Sequence, residues 1–146
     1  MEFSIRQMKE KDRECVLSMM EEFYNSDAVL TNGSREIFEN DFNNCINGCP
    51  YLEGYIFENG GIILGYGMIA KSFSTEFGKI CIWFEDLYLK PEFRGNGIVP
   101  KFMQFVEKKH NDAVFRLEVE EKNTHACYTY KKFGFKPLPY LEMIKR

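Results

Sequence analysis

The sequence predicts a mixed α/β domain with the element order β-α-α-β-β-β-α-β-α-β. Apolar residues recur at helical spacing in four segments, and six other segments have the apolar or alternating pattern of strands. Glycine-containing turns separate neighbouring strand segments. No repeat, low-complexity stretch or linker interrupts the 146 residues, a length that one hydrophobic core can serve. We therefore expect residues 1–146 to form a single domain.

The N-terminal third is predicted to contain a strand and two helices. Residues 3–8 alternate as a strand does, and residues 10–25 have the pattern of an amphipathic helix. The apolar side chains of that helix lie at i, i+3, i+4 and i+7, as Val16, Met19, Met20 and Phe23. Ser34 is suited to cap a second helix, which Gly48 ends.

Three strand segments follow, at residues 52–58, 62–72 and 79–89. The sequence Asn59-Gly60-Gly61 between the first two is typical of a hairpin turn. Residues 76–78 also contain a glycine and supply the second turn. These three strands are therefore expected to be sequential neighbours in one sheet.

The C-terminal third is predicted to return to alternating helices and strands. A helix covers residues 98–110, and a strand covers residues 114–120. Asn123 can cap a further helix, which Gly134 terminates. Residues 137–145 are predicted to form the last strand.

Charge, hydropathy and cysteine content exclude several classes of function. The net charge of −3 argues against a nucleic-acid partner, because non-specific binding to nucleic acid needs a basic surface. No apolar run approaches the length of a membrane span, and the first residues lack a signal-peptide pattern. The five cysteines are an odd number without paired spacing, and no histidine stands nearby. We expect a cytoplasmic protein with reduced thiols, no membrane partner and no metal.

The most informative segment is the turn between the strand at 79–89 and the helix at 98–110. It carries Arg94 followed by two glycines, Gly95 and Gly97. Backbone N–H groups at a helix start, with glycines that let a ligand approach closely, favour a phosphate or pyrophosphate. A dinucleotide fingerprint would need a third glycine where Pro100 stands, and a nucleotide P-loop would need Gly-Lys-Ser/Thr. A purely structural turn is the remaining alternative.

Two motifs, in this element order, resemble those of a known family. The first motif is Arg/Gln-x-x-Gly-x-Gly/Ala, matched here by Arg94, Gly97 and, at the last position, Val99. The second is Asn-x-x-Ala followed by Tyr-x-x-x-Gly-Phe, matched by Asn123, Ala126, Tyr130, Gly134 and Phe135. The chain resembles the GNAT superfamily of acetyl-CoA-dependent N-acetyltransferases over nearly its whole length. The resemblance implies the GNAT fold, in which the fourth and fifth strands splay apart.

The resemblance also implies how acetyl-CoA is held. The pyrophosphate would lie beside Arg94 on the backbone N–H groups of the turn, at Gly95, Asn96, Gly97, Ile98 and Val99. The pantetheine arm would pair like an added strand with Leu87, Tyr88 and Leu89. A backbone N–H near Leu87 would stabilise the oxyanion that develops on the thioester carbonyl. Asn123 would help to hold the cofactor.

Catalysis by such an enzyme requires a neutral amine. An alkylamine with a pKa near 10.4 is uncharged in only roughly one part in 2,500 at pH 7, a cost of about 4.6 kcal/mol. Glu85 is our candidate for the base that removes the proton, because it lies just before the segment expected to bind CoA. Strand alternation places Asp86 on the opposite face unless a bulge intervenes. Tyr130 matches the family's tyrosine that serves as the acid for the leaving thiolate.

The resemblance implies an acceptor pocket lined by acidic and aromatic residues, which suits a cationic amine. They are Phe23, Tyr24, Asp27, Glu53, Glu85 and Glu118. The sequence thus predicts a small-molecule N-acetyltransferase that works by direct transfer in a ternary complex. Two alternatives stay open, a non-catalytic acyl-CoA-binding or sensing module and a protein or peptide N-acetyltransferase. The resemblance is also compatible with a homodimer.

Overall fold

The computed structural model describes all residues, 1–146, and contains five strands and four α-helices. In chain order they are β1 (Ser4–Gln7), α1 (Arg13–Tyr24), α2 (Arg35–Ile46), β2 (Leu52–Asn59), β3 (Ile62–Ser74), β4 (Lys79–Leu89), α3 (Ile98–Lys109), β5 (Val114–Leu117) and α4 (Thr124–Lys132). The strands form one sheet in the order β1-β2-β3-β4-β5. Pairing is antiparallel except between β4 and β5, which are parallel. The predicted mixed α/β fold is confirmed.

The sheet separates two hydrophobic cores. Helices α1 and α2 cover one face with Val16, Leu17, Met19, Met20, Phe38 and Phe42. Helix α3 covers the other face with Ile98, Phe102, Met103 and Val106. Successive strand residues alternate between the two cores, so that Ile56 packs under α1 and α2 while Tyr55 and Phe57 pack under α3. We refer to the two sides as the α1/α2 face and the α3 face.

Local capping follows the sequence-based expectation. The Ser34 side chain accepts a hydrogen bond from the N–H of Ile37, and the Asn123 side chain accepts one from the N–H of Ala126. Each bond satisfies one N–H that the first turn of a helix leaves without a partner. Gly134 follows α4 with a φ of 92°, which is the left-handed conformation expected of a terminating glycine.

The first helix starts later than its apolar pattern indicates, because Asp12 organises a separate turn before it. Residues Glu10–Asp12 form a short 3₁₀ turn that precedes α1. The Asp12 carboxylate is buried, accepts from the N–H of Lys9 and receives both Nη atoms of Arg6 at 2.8 and 2.9 Å. Arg6 also contacts Glu58 on β2. This cluster ties the start of α1 to the edge of the sheet.

The prediction of a last strand at residues 137–145 is wrong. The chain forms no strand after α4, and the element order ends with that helix. Pro137 and Pro139 have no N–H, and residues two apart in a strand direct their N–H groups toward the same neighbour. Two donors are therefore missing on one side of this segment, which is exposed and has no regular secondary structure.

A β-bulge interrupts β4 at Glu85. Met68 of β3 pairs with Asp86, but its successor Ile69 pairs with Phe84, so that Glu85 has no partner on β3. The extra residue reverses the alternation of the strand. Phe84 therefore packs on the α3 face, whereas Asp86 lies on the α1/α2 face.

No helix of the structure combines the length and the apolar character that crossing a membrane requires.

Candidate functional site

The free edge of β4 is the centre of the candidate site. β4 pairs with β5 only from Cys81 to Phe84, and β5 ends at Leu117. Residues 86–89 pair with β3 on one side and have no strand on the other. The backbone of Leu87, Tyr88 and Leu89 is thus available at the edge that an extended ligand could pair with. The strand separation that the family resemblance implies is present.

The turn after β4 leads directly into the N-terminus of α3. Gly95 and Gly97 have φ values of 80° and 73°, so both need a residue that tolerates the left-handed region. No atom lies within 4 Å of the position that a Cβ would occupy at either glycine. The Asn96 side chain donates to the carbonyl of Phe93 at 3.1 Å and stabilises the turn. The surface over this turn is open, as the approach of a diphosphate would require.

Ile98 and Val99 form the first turn of α3 together with Pro100. The first intrahelical bond runs from Lys101 N–H to the carbonyl of Gly97. The N–H groups of Ile98 and Val99 precede it and have no helical partner, whereas Pro100 has no N–H to offer. Ile98 is buried and fixes this end of α3 in the core. The turn therefore combines free N–H groups with the positive end of the helix dipole.

Arg94 is anchored against the end of β4. Its Nε donates to the carbonyl of Leu89 at 3.1 Å, and its guanidinium carbon lies 5.8 Å from the centre of the Tyr88 ring. The Tyr88 hydroxyl donates in turn to the Glu22 carboxylate of α1. No hydrogen bond within the protein uses the Nη atoms of Arg94, so their donors can serve an anionic ligand.

Asp86, next to the bulge, is a buried carboxylate that sequence reasoning did not select. Only 3% of the residue is exposed. Tyr24 donates to its Oδ1 at 2.9 Å, and Tyr66 donates to its Oδ2 at 2.8 Å. Burial raises the pKa of Asp86, the two tyrosine hydrogen bonds oppose the shift, and the resulting pKa is about 6. The only sequence signal was its position beside Glu85.

Glu85 lies at the bulge and remains accessible to solvent. Partial burial raises its pKa, and the nearby charges of Asp41 and Glu142 raise it further. Asp41 is half-buried on α2, and its own pKa is raised by burial. The sequence did not single out Asp41 either. No local pattern distinguishes a helical aspartate near a site from one that is simply exposed to solvent. The bulge brings Asp41 together with Glu85 and Asp86.

Tyr130 reaches the region from the opposite side. Its ring packs with the core of the α3 face and lies 6.2 Å from the ring of Phe135, which is itself 6.2 Å from that of Phe84. Burial is the main cause of the raised pKa of the Tyr130 hydroxyl. Tyr130 and the Tyr24–Asp86 pair therefore flank the end of the β4–β5 pairing from opposite faces of the sheet.

The predicted acceptor residues do not all lie together. Phe23 and Tyr24 lie at the end of α1, and the Phe23 ring is 6.2 Å from that of Tyr88. Asp27 lies in the exposed connection between α1 and α2. Glu118 follows β5, where a hydrogen bond with Glu142 is the main cause of its raised pKa, followed by burial.

Glu53 is separated from this group by the sheet. It lies on the α3 face, where Lys71 and Lys109 contact its carboxylate at 2.7 and 3.1 Å and Tyr55 donates to it. Burial would raise the pKa of Glu53, but these hydrogen bonds lower it to about 2. Its charge is thus already compensated, and we do not include it in the site.

Trp83 lies on β4 two residues before Glu85 and is half-buried. The guanidinium carbon of Arg116 is 5.7 Å from the centre of the indole ring and 5.9 Å from that of Phe77. Arg116 also contacts the Glu76 carboxylate at 3.3 Å. An aromatic surface therefore continues from the bulge along β4.

A sequence model of the Acetyltransferase (GNAT) family matches residues 17–135. The matched region runs from α1 through the free edge of β4 and the glycine turn to the end of α4. The chain belongs to the acetyltransferase (GNAT) family.

Curated acetyltransferases are similar to part of this chain. The thialysine N-epsilon-acetyltransferase of Sus scrofa is 37% identical over 86 residues, which are 57% of this chain and 50% of that protein. The chain thus spans about half the length of the curated relatives it matches.

Solved structures share the fold over nearly the whole chain. One is a predicted acetyltransferase from Clostridium acetobutylicum with acetyl-CoA, with a TM-score of 0.78, 22% identity and coverage of 98% of this chain and 96% of that one. Another is AAC(6')-Iy in complex with the bisubstrate analogue CoA-S-monomethyl-acetylneamine, with a TM-score of 0.80, 13% identity and coverage of 100% and 99%. At these identities the likeness establishes the fold of the family.

Proposed function

We propose that this chain is an N-acetyltransferase that moves the acetyl group of acetyl-CoA to a primary amine of a small cationic molecule. The observation that carries the proposal is the free edge of β4 beside the open glycine turn that begins α3. An extended arm with a diphosphate at one end fits these two neighbouring features. CoA or acetyl-CoA is the ligand of similar folds, and thialysine and an aminoglycoside derivative are named for relatives.

The residues of the turn and of β4 fit acetyl-CoA by their chemistry. The N–H groups of Gly95 to Val99 and the free Nη donors of Arg94 would bind the diphosphate. The backbone of Leu87, Tyr88 and Leu89 would pair with the amide groups of the pantetheine arm. Asn123 would contribute from the start of α4, with its amide group, because its side-chain oxygen already caps that helix.

Bound acetyl-CoA supplies an activated acetyl group in the form of a thioester. The backbone N–H near Leu87 would donate to the carbonyl oxygen as negative charge develops there. Tyr130 would donate its hydroxyl proton, or a hydrogen bond, to the leaving sulfur. A phenol with a pKa near 10 is a weaker acid than a thiol with a pKa near 8.5, so full transfer is uphill by about 2 kcal/mol. The raised pKa of Tyr130 favours a hydrogen bond over full transfer.

Glu85 would attract the ammonium group of the acceptor and take its proton, directly or through water. Its exposed position at the bulge makes it accessible, and its raised pKa makes it a better base than an ordinary carboxylate. The nearby carboxyl groups of Asp41 and Glu118, with the aromatic rings of Phe23 and Tyr24, would complement a cationic acceptor.

Thermal unfolding with and without acetyl-CoA, followed by free-thiol release with a panel of primary amines, tests the proposal. Acetyl-CoA at 100 times its Kd should stabilise the protein by about 2.7 kcal/mol, a shift of several degrees. Thiol release should require an amine and should favour amines that carry a second cationic group. Without any thermal shift the assignment of acetyl-CoA fails.

Two other outcomes would replace the proposed function by one of the alternatives. A thermal shift without thiol release across the panel would indicate an acyl-CoA-binding module. Thiol release that depends on a peptide N-terminus or lysine peptide, and not on small amines, would indicate a protein acetyltransferase.

A further inference from the structure

Tyr24 joins the end of α1 to a carboxylate in the interior. Its half-buried side chain donates to Oδ1 of Asp86, and that carboxylate is 3% exposed. Tyr66 on β3, which is fully buried, donates a hydrogen bond to Oδ2 of Asp86. No lysine, arginine or histidine contacts Asp86. A buried carboxylate held by two phenols and by no cation is costly if its role is only to fill the core.

The surroundings of Asp86 show why only one of the two tyrosines can connect it with a substrate. Tyr24 is half-buried at the end of α1, next to Phe23, and the charge of Glu85 acts on its hydroxyl. Tyr66 is enclosed by the core of the α1/α2 face and offers no path outward. Of the two tyrosines that hold Asp86, only Tyr24 is thus partly exposed and next to a residue of the proposed acceptor pocket.

We propose that Tyr24 and Asp86 form a proton relay that takes a proton from the ammonium group of the acceptor, as a second route beside Glu85. The proposal rests on the acetyltransferase function proposed above. It adds two residues to the reaction, one that would touch the substrate, Tyr24, and one that acts through it, Asp86.

The step balances without any further reactant. One N–H bond of the ammonium breaks and its proton goes to Oη of Tyr24. At the same time the O–H bond of Tyr24 breaks and that proton goes to Oδ1 of Asp86, along the existing hydrogen bond. The products are a neutral amine, a neutral Tyr24 and a protonated Asp86. After acetyl transfer, the reverse movement through Tyr24 releases the proton to water.

The protonation equilibrium of Asp86 suits this role. Its pKa of about 6 lies much closer to that of an amine than the pKa of an ordinary aspartate does. The groups that face it are Tyr24 of α1, Tyr66 of β3, Asp41 and Cys45 of α2, and Glu85 of its own strand. None of these is cationic, so the site becomes less strongly charged when Asp86 takes up a proton.

A pair of matched variants tests the relay. Tyr24→Phe and Tyr66→Phe each remove one hydroxyl that donates to the same carboxylate, but Tyr66 is fully buried whereas Tyr24 is partly exposed. We would measure kcat/KM for the best amine of the panel between pH 6 and 9.5, with acetyl-CoA affinity from thermal shifts as the check on folding. Y24F should lower kcat/KM by about tenfold or more at pH 7, and Y66F by less than about threefold.

The pH dependence separates proton transfer from a structural effect. As the pH approaches the pKa of the amine, the fraction of neutral acceptor rises, and a base is needed less. The defect of Y24F should therefore shrink to less than about threefold at pH 9.5. Equal defects in both variants, or a Y24F defect that stays constant with pH, would overturn the relay while leaving the acetyltransferase intact. An inactive wild-type protein would instead overturn the proposed function, and the relay with it.

Discussion

Phe84 and Leu117 are the last two residues of β4 and β5 that pair with each other. One residue further along β4 comes the bulge at Glu85, and one residue beyond Leu117 comes Glu118. The sheet thus opens at the position where β4 changes the direction of its side chains. The proposed cofactor edge and the proposed base therefore both lie at the bulge of β4.

We expect Gly97→Ala to weaken acetyl-CoA binding by about tenfold or more, because its methyl group would occupy the open surface over the turn. Gly60→Ala is the matched control, since Gly60 also has a positive φ and no neighbour near its Cβ position but lies in the β2–β3 hairpin. Both variants should lose about 1–2 kcal/mol of unfolding free energy from the left-handed conformation. Urea unfolding and calorimetric titration measure the two effects, and equal affinities in the two variants would contradict the site.

Replacing Tyr130 by phenylalanine should reduce kcat by about tenfold to 100-fold while the KM for acetyl-CoA changes less than about threefold. The reason is that the hydroxyl is proposed to act on the leaving sulfur, whereas the ring supplies the packing against Phe135. Tyr128→Phe on the same helix is the control, because Tyr128 is 66% exposed. Steady-state thiol release measures both, and a Tyr130 variant with full kcat would show that the hydroxyl has no catalytic role.

Acidification should stabilise the wild-type protein relative to Asp86→Asn. The pKa of Asp86 is about 6 in the folded protein and near 3.8 when unfolded, so folding takes up a proton between these values. The unfolding free energy of the wild type, minus that of D86N, should therefore rise by up to about 3 kcal/mol as the pH falls from 7.5 toward 4. Urea unfolding across this range measures the difference, and a flat profile would mean that Asp86 titrates as an ordinary carboxylate.

The opposite pH dependence is expected at Asp12. Burial alone would raise its pKa, but the hydrogen bonds from Arg6 and from the N–H of Lys9 outweigh burial and lower it. The contribution of Asp12 to the unfolding free energy is therefore present at neutral pH and is lost as the pH falls below about 4. Asp12→Asn should cost about 2–3 kcal/mol at pH 7, because it removes the charged partner of Arg6.

Glu58→Gln is the control for Asp12. It removes the other carboxylate that contacts Arg6, but its side chain is 22% exposed against 2% for Asp12. We expect a loss of about 1 kcal/mol or less. Equal losses of unfolding free energy in the two variants would show that burial does not strengthen the Arg6–Asp12 ion pair.

Local signals in the sequence were sufficient for most of the fold. Ser34 and Asn123 cap helices through their own backbone neighbourhood, so the residue type and its place before an apolar pattern predict the helix start. The prediction of a strand at residues 137–145 was wrong because it used only side-chain alternation. Alternation describes side chains, whereas a strand also needs backbone donors, and Pro137 and Pro139 lack them.

The site was only partly predictable because its chemistry depends on long-range contacts. The glycines and Arg94 lie in one continuous segment, and the motif therefore indicates the turn directly. Asp86 owes its environment to Tyr24 and Tyr66, which are distant in sequence, and to a bulge that no local pattern marks. Glu53 illustrates the converse, since only the three-dimensional structure reveals that lysines on the α3 face neutralise it.

The chain has a single tryptophan, and β4 carries it two residues before the bulge. Intrinsic fluorescence excited in the indole band therefore originates almost entirely from Trp83, which lies beside Arg116 and two residues before the proposed base Glu85. An acceptor that displaces Arg116 or excludes water from the ring would change the wavelength or the intensity of that emission. The protein thus contains its own optical probe, with which acceptor molecules can be screened without a label and without turnover.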